Sequence, residues 1–275
     1  MRSEGIRQAE PPVKGRYRLQ YLARGGMALA YRARLGERQL FLKESPLAQS
    51  QHLRHEAQML QRLPLGQFPR FVELFEEDGY LYLVTEFLEG QTLEQEVESN
   101  PWSYPEESEL RDLSLQLCRQ LEILHERKIL YLDLKPGNLI RTPQGKIYLV
   151  DFGIAQVSLA PVALGQYQGS PWTASPEHYT GKVERRSDLF SLAATVHYVA
   201  TRGQCPRNPQ APFSDASQVH PSLSPHFAQW LARCLELNPL QRFQDISAAR
   251  LALEQPEKPS SGPSWKRWLG LSGGS

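Results

Sequence analysis

The chain has 275 residues, a formal net charge of +1, 40% apolar residues and 22% charged residues. That composition suffices for a continuous core in one large domain or two modest lobes, and its near-neutral balance gives no overall field toward nucleic acid or an anionic membrane. Cys118, Cys205 and Cys234 lack metal or disulfide spacing, and no run reaches the roughly 20 apolar residues of a membrane span, so the expected setting is the reducing cytoplasm.

Residues 1–14 read as a flexible polar leader closed by Pro11 and Pro12, without the apolar run of a signal peptide. From Tyr17 to Lys43 the pattern is strand-like: YRLQYLA, a Gly25–Gly26 turn, LAYRARL, then RQLFLKE. Residues 50–62 predict a helix with Leu53, Ala57 and Leu60 on one stripe, and FVELFEEDGYLYLVTEF predicts two strands joined at Asp78–Gly79. The remainder is mainly helical. Ser103 and Glu106 have capping-box spacing ahead of a stripe of Leu110, Leu113, Leu117, Leu121 and Leu124. LIRTPQGKIYLVDFG predicts a short hairpin about Pro143–Gly145, and further helices are expected near 187–201, 224–237 and 245–254. Residues 256–264 form a Pro/Ser-rich linker. In the tail beyond it, Trp265, Trp268, Leu269 and Leu271 surround Lys266 and Arg267. That mixture suits a weak contact with a membrane interface or a docking groove, and equally a plain unstructured end.

The chemistry concentrates in ILYLDLKPGNLI, residues 129–140, where Asp133, Lys135 and Asn138 follow one another, and in Asp151, which opens Asp-Phe-Gly. Phosphoryl transfer asks for cations and Mg²⁺ on the phosphates and a carboxylate beside the attacking hydroxyl. Asp and Asn supply hard oxygens of the kind Mg²⁺ takes. Lys43 ends the strand LFLK, and Glu56 lies in the following helix; alone, such a pair is often only a weak surface contact.

Taken in order, the Gly-rich turn, strand Lys, helix Glu, Asp-x-Lys loop ending in Asn and Asp-Phe-Gly resemble a eukaryotic-type protein kinase. The turn GGM followed by Tyr31 and Ala33 is similar to the bacterial Ser/Thr branch. The resemblance covers residues 15–255. It implies a two-lobed α+β fold: a small antiparallel sheet lobe with one helix at about 15–86, and a larger helical lobe at about 87–255. It further implies ATP, with Mg²⁺ or alternatively Mn²⁺, and protein substrates bearing Ser or Thr, the class suggested by Lys135 and Ser170. Carried over residue by residue, Lys43 would hold the α- and β-phosphates and Glu56 would pair with it. Asp133 would orient the hydroxyl, Lys135 would neutralise the transferred phosphate, and Asn138 and Asp151 would bind metal. Gly25 and Gly26 would face phosphate, Ala30 and Phe41 would roof the adenine, Thr85 would guard the back, and Glu86 and Leu88 would form the hinge. Glu177 and Arg242 would form a buried ion pair, Asp188 would accept backbone bonds from the catalytic loop, and Leu60, Leu74, Tyr131 and Phe152 would stack as an apolar spine.

The sequence also departs from the family pattern. The nucleotide turn, Ala23 to Ala28, keeps only Gly25 of the usual three glycines, which predicts strain wherever a positive φ is needed. Phe41 stands where Ala is usual and Ala30 where Val is, a partly compensating volume swap. Leu132 replaces the Arg that would bind a phosphorylated activation segment, so a working loop without that switch is expected. Lys43 and Glu56 are 13 residues apart, a short connection that leaves their pairing open. The main reading is an active Ser/Thr kinase. The alternative is a nucleotide-binding pseudokinase acting as a scaffold or allosteric partner, and no oligomeric state follows from one chain.

Overall fold

The computed structural model describes residues 13–26, 28–157, 171–204, 206 and 211–255. Strands β1 (Arg18–Arg24), β2 (Leu29–Leu35), β3 (Arg38–Pro46), β4 (Phe71–Glu77) and β5 (Tyr80–Glu86) pair antiparallel in the order β1-β2-β3-β5-β4. Period-2 alternation sorts their side chains. Tyr31, Ala33, Leu40, Leu42, Tyr82 and Val84 form one cluster with Val13 and Tyr17. On the opposite face Leu81 and Leu83 meet Leu53 and Ala57 of α1 (Gln51–Leu60). The β4–β5 turn has positive φ at both Asp78 (50°) and Gly79 (83°), the backbone that a tight hairpin requires.

The sheet lobe begins earlier than expected. Val13 is 3% exposed, and the Lys14 ammonium lies 2.7 Å from Glu73, whose carboxylate also takes the Arg16 guanidinium and the Tyr17 hydroxyl. These two residues are therefore part of the lobe rather than of a leader.

The second lobe starts with β6 (Gln91–Thr92) and α2 (Leu93–Ser99). Thr92 and Gln95 form a capping box, their side chains each bonding the other's backbone N–H at 3.1 and 3.0 Å. In α3 (Glu107–Glu126) the predicted leucine stripe is fully buried against α5 (Arg185–Ala200) and α8 (Ile246–Glu254). The Ser103–Glu106 box does not form: the N-cap is Glu106, without a side-chain bond. Tyr104 precedes Pro105 and is thereby biased to extended backbone, so the helix cannot start at Ser103. Short strands β7 (Ile129–Leu130), β8 (Leu139–Arg141), β9 (Ile147–Leu149) and β10 (Gln156–Val157) carry the loops between α3 and α4 (Pro176–Thr180). Helices α6 (Ala216–Val219) and α7 (Pro225–Cys234) complete the lobe. The expected two-lobed α+β arrangement is thus the observed one.

Cys118 and Cys234 are buried free thiols, and burial pushes the Cys118 thiol up to about 12. Cys205, the linker 256–264 and the tail Trp265–Leu271 lie outside the described residues. Among the described residues no helix is long and apolar enough to cross a membrane.

One buried ion pair ties α4 to the region after α7. Arg242 donates to both oxygens of Glu177 at 2.7 and 2.9 Å, and to the carbonyls of Arg186 and Glu236, with its side chain fully shielded. Burial alone would push the Glu177 carboxyl up, yet its bonds to Arg242 and Ser187 hold it below the usual carboxylate range. Its contribution to stability is therefore present above its unfolded pKa and lost on acidification. Arg242→Ala strands the Glu177 charge and should cost about 3–5 kcal/mol in urea unfolding at pH 7. The deficit should shrink toward pH 4, because in the variant acid neutralises the stranded carboxylate. A deficit independent of pH would contradict this assignment.

Candidate active site

Between the lobes lies a cavity of about 490 Å³. Its upper wall is the inner face of β2 and β3, with Ala30, Arg32, Phe41 and Lys43. Its back and side are Thr85, Glu86, Phe87 and Leu88, and its floor holds Gly137, Asn138, Ile140, Val150 and Asp151. Phe41 therefore lines the space without closing it, as expected if Ala30 gave up volume where Phe41 gained it.

The charges are arranged around Lys43. Its Nζ lies 2.9 and 2.8 Å from the two oxygens of Glu56 on α1, and 3.2 Å from Asp151 Oδ1. The short connection between β3 and α1 thus holds the pair together. Burial opposes the Lys43 charge, but Asp151 and Glu56 more than offset it and raise the ammonium above the ordinary lysine range. Asp151 is shifted the other way, held below the carboxylate range chiefly by Lys43.

On the far side of the floor, Asp133 Oδ2 accepts from Asn138 Nδ2 at 2.8 Å and from Lys135 Nζ at 2.9 Å. Asp133 Oδ1 is buried with no partner. Burial raises the Asp133 carboxyl, against the pull of Lys135. An open acceptor on a carboxylate that is otherwise fully engaged can take a hydroxyl proton donor.

The loops that present these groups are strained and heavily tied. Leu132 (φ 66°) and Asp151 (φ 67°) both occupy the left-handed region, which costs a non-glycine residue of order 1 kcal/mol or more. Asp188, fully buried on α5, accepts from Tyr131 N at 3.0 Å, from Leu132 N at 2.8 Å and from His125 Nε2 at 2.8 Å. The Leu132 carbonyl accepts from His178 Nε2 at 3.3 Å, and His178 Nδ1 accepts from Ser175 N at 3.1 Å. The His178 ring is buried, which lowers its pKa and keeps it neutral. Tyr131 packs edge-on to Phe152, with centroids 5.2 Å apart, and its hydroxyl donates to the Val150 carbonyl.

The expected spine is divided. Leu60, Tyr131 and Phe152 share the main core, whereas Leu74 packs with Leu53, Ala57, Leu81 and Leu83. Phe71 touches both clusters, and Phe68 lies edge-on to Phe152 at 5.8 Å.

Gly25 and Gly26 do not enter the cavity wall. They lie exposed in a turn closed by a 2.9 Å bond from Gly25 N to the Ala28 carbonyl. Ala23, Gly25, Gly26 and Ala28 all avoid positive φ, so the strain expected from the missing glycines is absent. Two other glycines matter instead. A Cβ at Gly90 (φ 152°) would fall 2.1 Å from the Arg141 carbonyl, and one at Gly137 would fall 2.9 Å from Glu94 Oε2. Neither carries a signal beyond its being a glycine. His125, His178 and Arg32 likewise belong to no sequence motif. Thr92 and Gln95, which also line the cavity, carried the legible signal of a capping box.

The profile described as "Protein kinase domain" matches residues 38–256. The chain is 30% identical over 193 residues, 67% of its length, to the mouse protein named serine/threonine-protein kinase Nek1, covering 16% of that protein. It is 32% identical over 222 residues, 73% of its length, to serine/threonine-protein kinase B of Synechocystis, covering 37% of it. It is 31% identical over 269 residues, 86% of its length, to serine/threonine-protein kinase PksC of Streptomyces coelicolor, covering 48% of it. The chain thus spans less than half the length of each of these relatives.

Tyr131→Phe keeps the ring in the core and deletes the hydroxyl, with its bond to the Val150 carbonyl and its interaction with the Asn138 side chain. It should lower thermal stability by about 1–2 kcal/mol. An unchanged melting temperature would show that the hydroxyl contributes nothing.

Proposed function

The chain belongs to the protein kinase domain family, and from that premise we propose that it transfers the γ-phosphoryl group of ATP to Ser or Thr hydroxyls of proteins. The observation that carries this reading is the pair of centres at the cavity floor: an ammonium fixed between two carboxylates on its wall, and Asp133, bonded to the floor residue Asn138 and keeping one buried, unpartnered oxygen.

In this reading the cavity volume accommodates a nucleotide. The base sits beneath Ala30 and Phe41, with Thr85 behind it and the backbone at Glu86 and Leu88 beside it. Lys43, held straight by Glu56, reaches the α- and β-phosphates. Gly25 and Gly26 could serve the phosphates only through turn backbone, since they stand outside the wall. Asp133 Oδ1 receives the substrate hydroxyl and orients it in line, while Lys135 offsets the charge of the group in flight. Catalysis of this kind rests on positioning and electrostatics more than on covalent chemistry.

The floor also fits Mg²⁺. Asp151 and Asn138 both border the cavity and bring one carboxylate and one amide oxygen to it. That matches an ion held by one carboxylate and a few oxygens together with substrate phosphates and water. When bound, Mg²⁺ or Mn²⁺ would neutralise phosphate charge; Asp151 and Asn138 would hold it.

Turnover independent of activation-segment phosphorylation is part of the proposal. It is supported by Leu132, whose side chain is buried and apolar, and by the His178 bond to its carbonyl, which needs no phosphate. Ser158, Tyr167 and Ser170 lie outside the described residues, and Thr173 is buried.

Purified protein should incorporate label from γ-labelled ATP with Mg²⁺ or Mn²⁺ into itself or a protein substrate. Phosphatase pretreatment should leave the rate within about twofold. Asp133→Asn should reduce it by two or more orders of magnitude, of the order general-base loss produces, with ADP affinity retained. Nucleotide binding without any transfer would favour the pseudokinase reading. Activity rescued only by phosphorylation would overturn the switch-free reading.

A further inference from the structure

Arg32 is an unexpected member of the cavity wall. It stands on β2 directly opposite Phe41 of β3, whose other neighbour is Thr85 of β5. Ala30, two residues earlier on β2, is opposite Lys43. Arg32 is thus displaced about 7 Å along the strand from the ammonium, toward the Thr85–Leu88 side. Its guanidinium carbon lies 4.5 Å from the centroid of Phe87, a cation–π contact between two residues of the cavity wall. Arg32 Nε is buried and has no hydrogen-bond partner. Among the described residues no carboxylate pairs with Arg32.

A guanidinium held flat by an aromatic ring has lost its rotamer freedom before any ligand arrives. A buried N–H donor without an acceptor is costly, and the cost is relieved when an acceptor enters the cavity beside it. The volume exchange between Phe41 and Ala30 replaces aliphatic surface by a ring at that place, and Arg32 extends the flat surface toward Phe87. Phosphates are the wrong partner, because they belong at the Lys43 end. A purine base is flat, has ring-nitrogen acceptors and belongs at the Thr85–Leu88 end.

We propose that Arg32 is a base-contacting residue of the nucleotide site, its guanidinium, preset on Phe87, packing against the purine and donating Nε–H to it. The proposal rests on the nucleotide reading of the cavity and adds a specificity determinant to it.

The test is equilibrium binding of ADP and of adenosine, which does not depend on turnover. Arg32→Met keeps an apolar stem of similar reach and removes the fork. It should weaken ADP and adenosine by the same factor, about tenfold, the factor that 1.4 kcal/mol represents. Arg32→Lys, which keeps the charge without the plane or the Nε donor, should be equally weak. The melting temperature of the ligand-free protein reports folding; should Arg32→Met unfold, the Lys variant carries the test. Unchanged affinity for both ligands overturns the proposal. So does a loss confined to ADP, which would mark a long-range effect on phosphate, and so does full recovery in Arg32→Lys. A wild type that binds neither ligand overturns the nucleotide reading and this proposal together, whereas a wild type that binds both, with unaffected variants, overturns the Arg32 contact alone.

Discussion

A carboxylate sealed away from water must be fully partnered or it does not stay ionised, and Asp188 makes that constraint the organising centre of the larger lobe. It is wholly inside the protein, at the first turn of α5, and its bonds run to His125 and to the backbone N–H groups of Tyr131 and Leu132. The two backbone bonds leave Leu132 little choice but its left-handed φ. Once Leu132 is bent, the next residue, Asp133, is aimed at Asn138 and Lys135. The position of the Asp133 carboxylate is thus fixed by a buried side chain that never touches it. Glu177 and Glu56 repeat the device: each is a shielded carboxylate whose cation comes from a different element, and each cross-link is strong because either half alone is costly.

Backbone strain collects at the two places where these ties converge. Leu132 and Asp151 are in a conformation that neither residue prefers, and each is held from both sides. Leu132 is held by Asp188 and His178; Asp151 is held by Lys43 and by Gly153 N, at 3.3 Å from its Oδ1. Such conformations persist only where the surroundings over-determine them. The His178 tie is a bond between a neutral ring and a carbonyl. Unlike an arginine–phosphate pair, it does not wait for a modification, so α4 and the loop at Leu132 are joined as a matter of packing.

Much of this was legible in residue order, for a physical reason. Strands β1 to β5 announce themselves by alternation, and Asp78–Gly79 by its need for positive φ, because both are local properties. Lys43, Glu56, Asp133, Asn138 and Asp151 stood out through their order, which resembles the kinase pattern, and the fold brings Lys43 to Glu56 and Asp151, and Asp133 to Asn138. What stayed hidden was tertiary. Val13 and Lys14 look like a leader until Glu73 is placed beside them. The S-x-x-E spacing of Ser103 and Glu106 is real, but Pro105 disfavours helix there, and Glu106 itself becomes the N-cap without a side-chain bond. Gly90 and Gly137 owe their identity to atoms of Arg141 and Glu94, far away in sequence. The division of the spine is tertiary as well: Leu74 packs with Leu53, Ala57, Leu81 and Leu83, whereas Leu60, Tyr131 and Phe152 share the main core.

At the cavity roof, Phe41 and Ala30 stand diagonal to one another on neighbouring strands. An aromatic ring at position 41 in an unchanged pocket would occupy the space of a ligand, yet about 490 Å³ remains open. Ala30, one strand over and diagonal to Phe41, supplies part of the room; the opposite strand position supplies a residue long enough to reach Phe87 instead of filling the space. Core volume can be exchanged between neighbours at low cost when the total is preserved. What the exchange leaves on the wall is a ring at Phe41 and, opposite it, a cation at Arg32 that lies over Phe87.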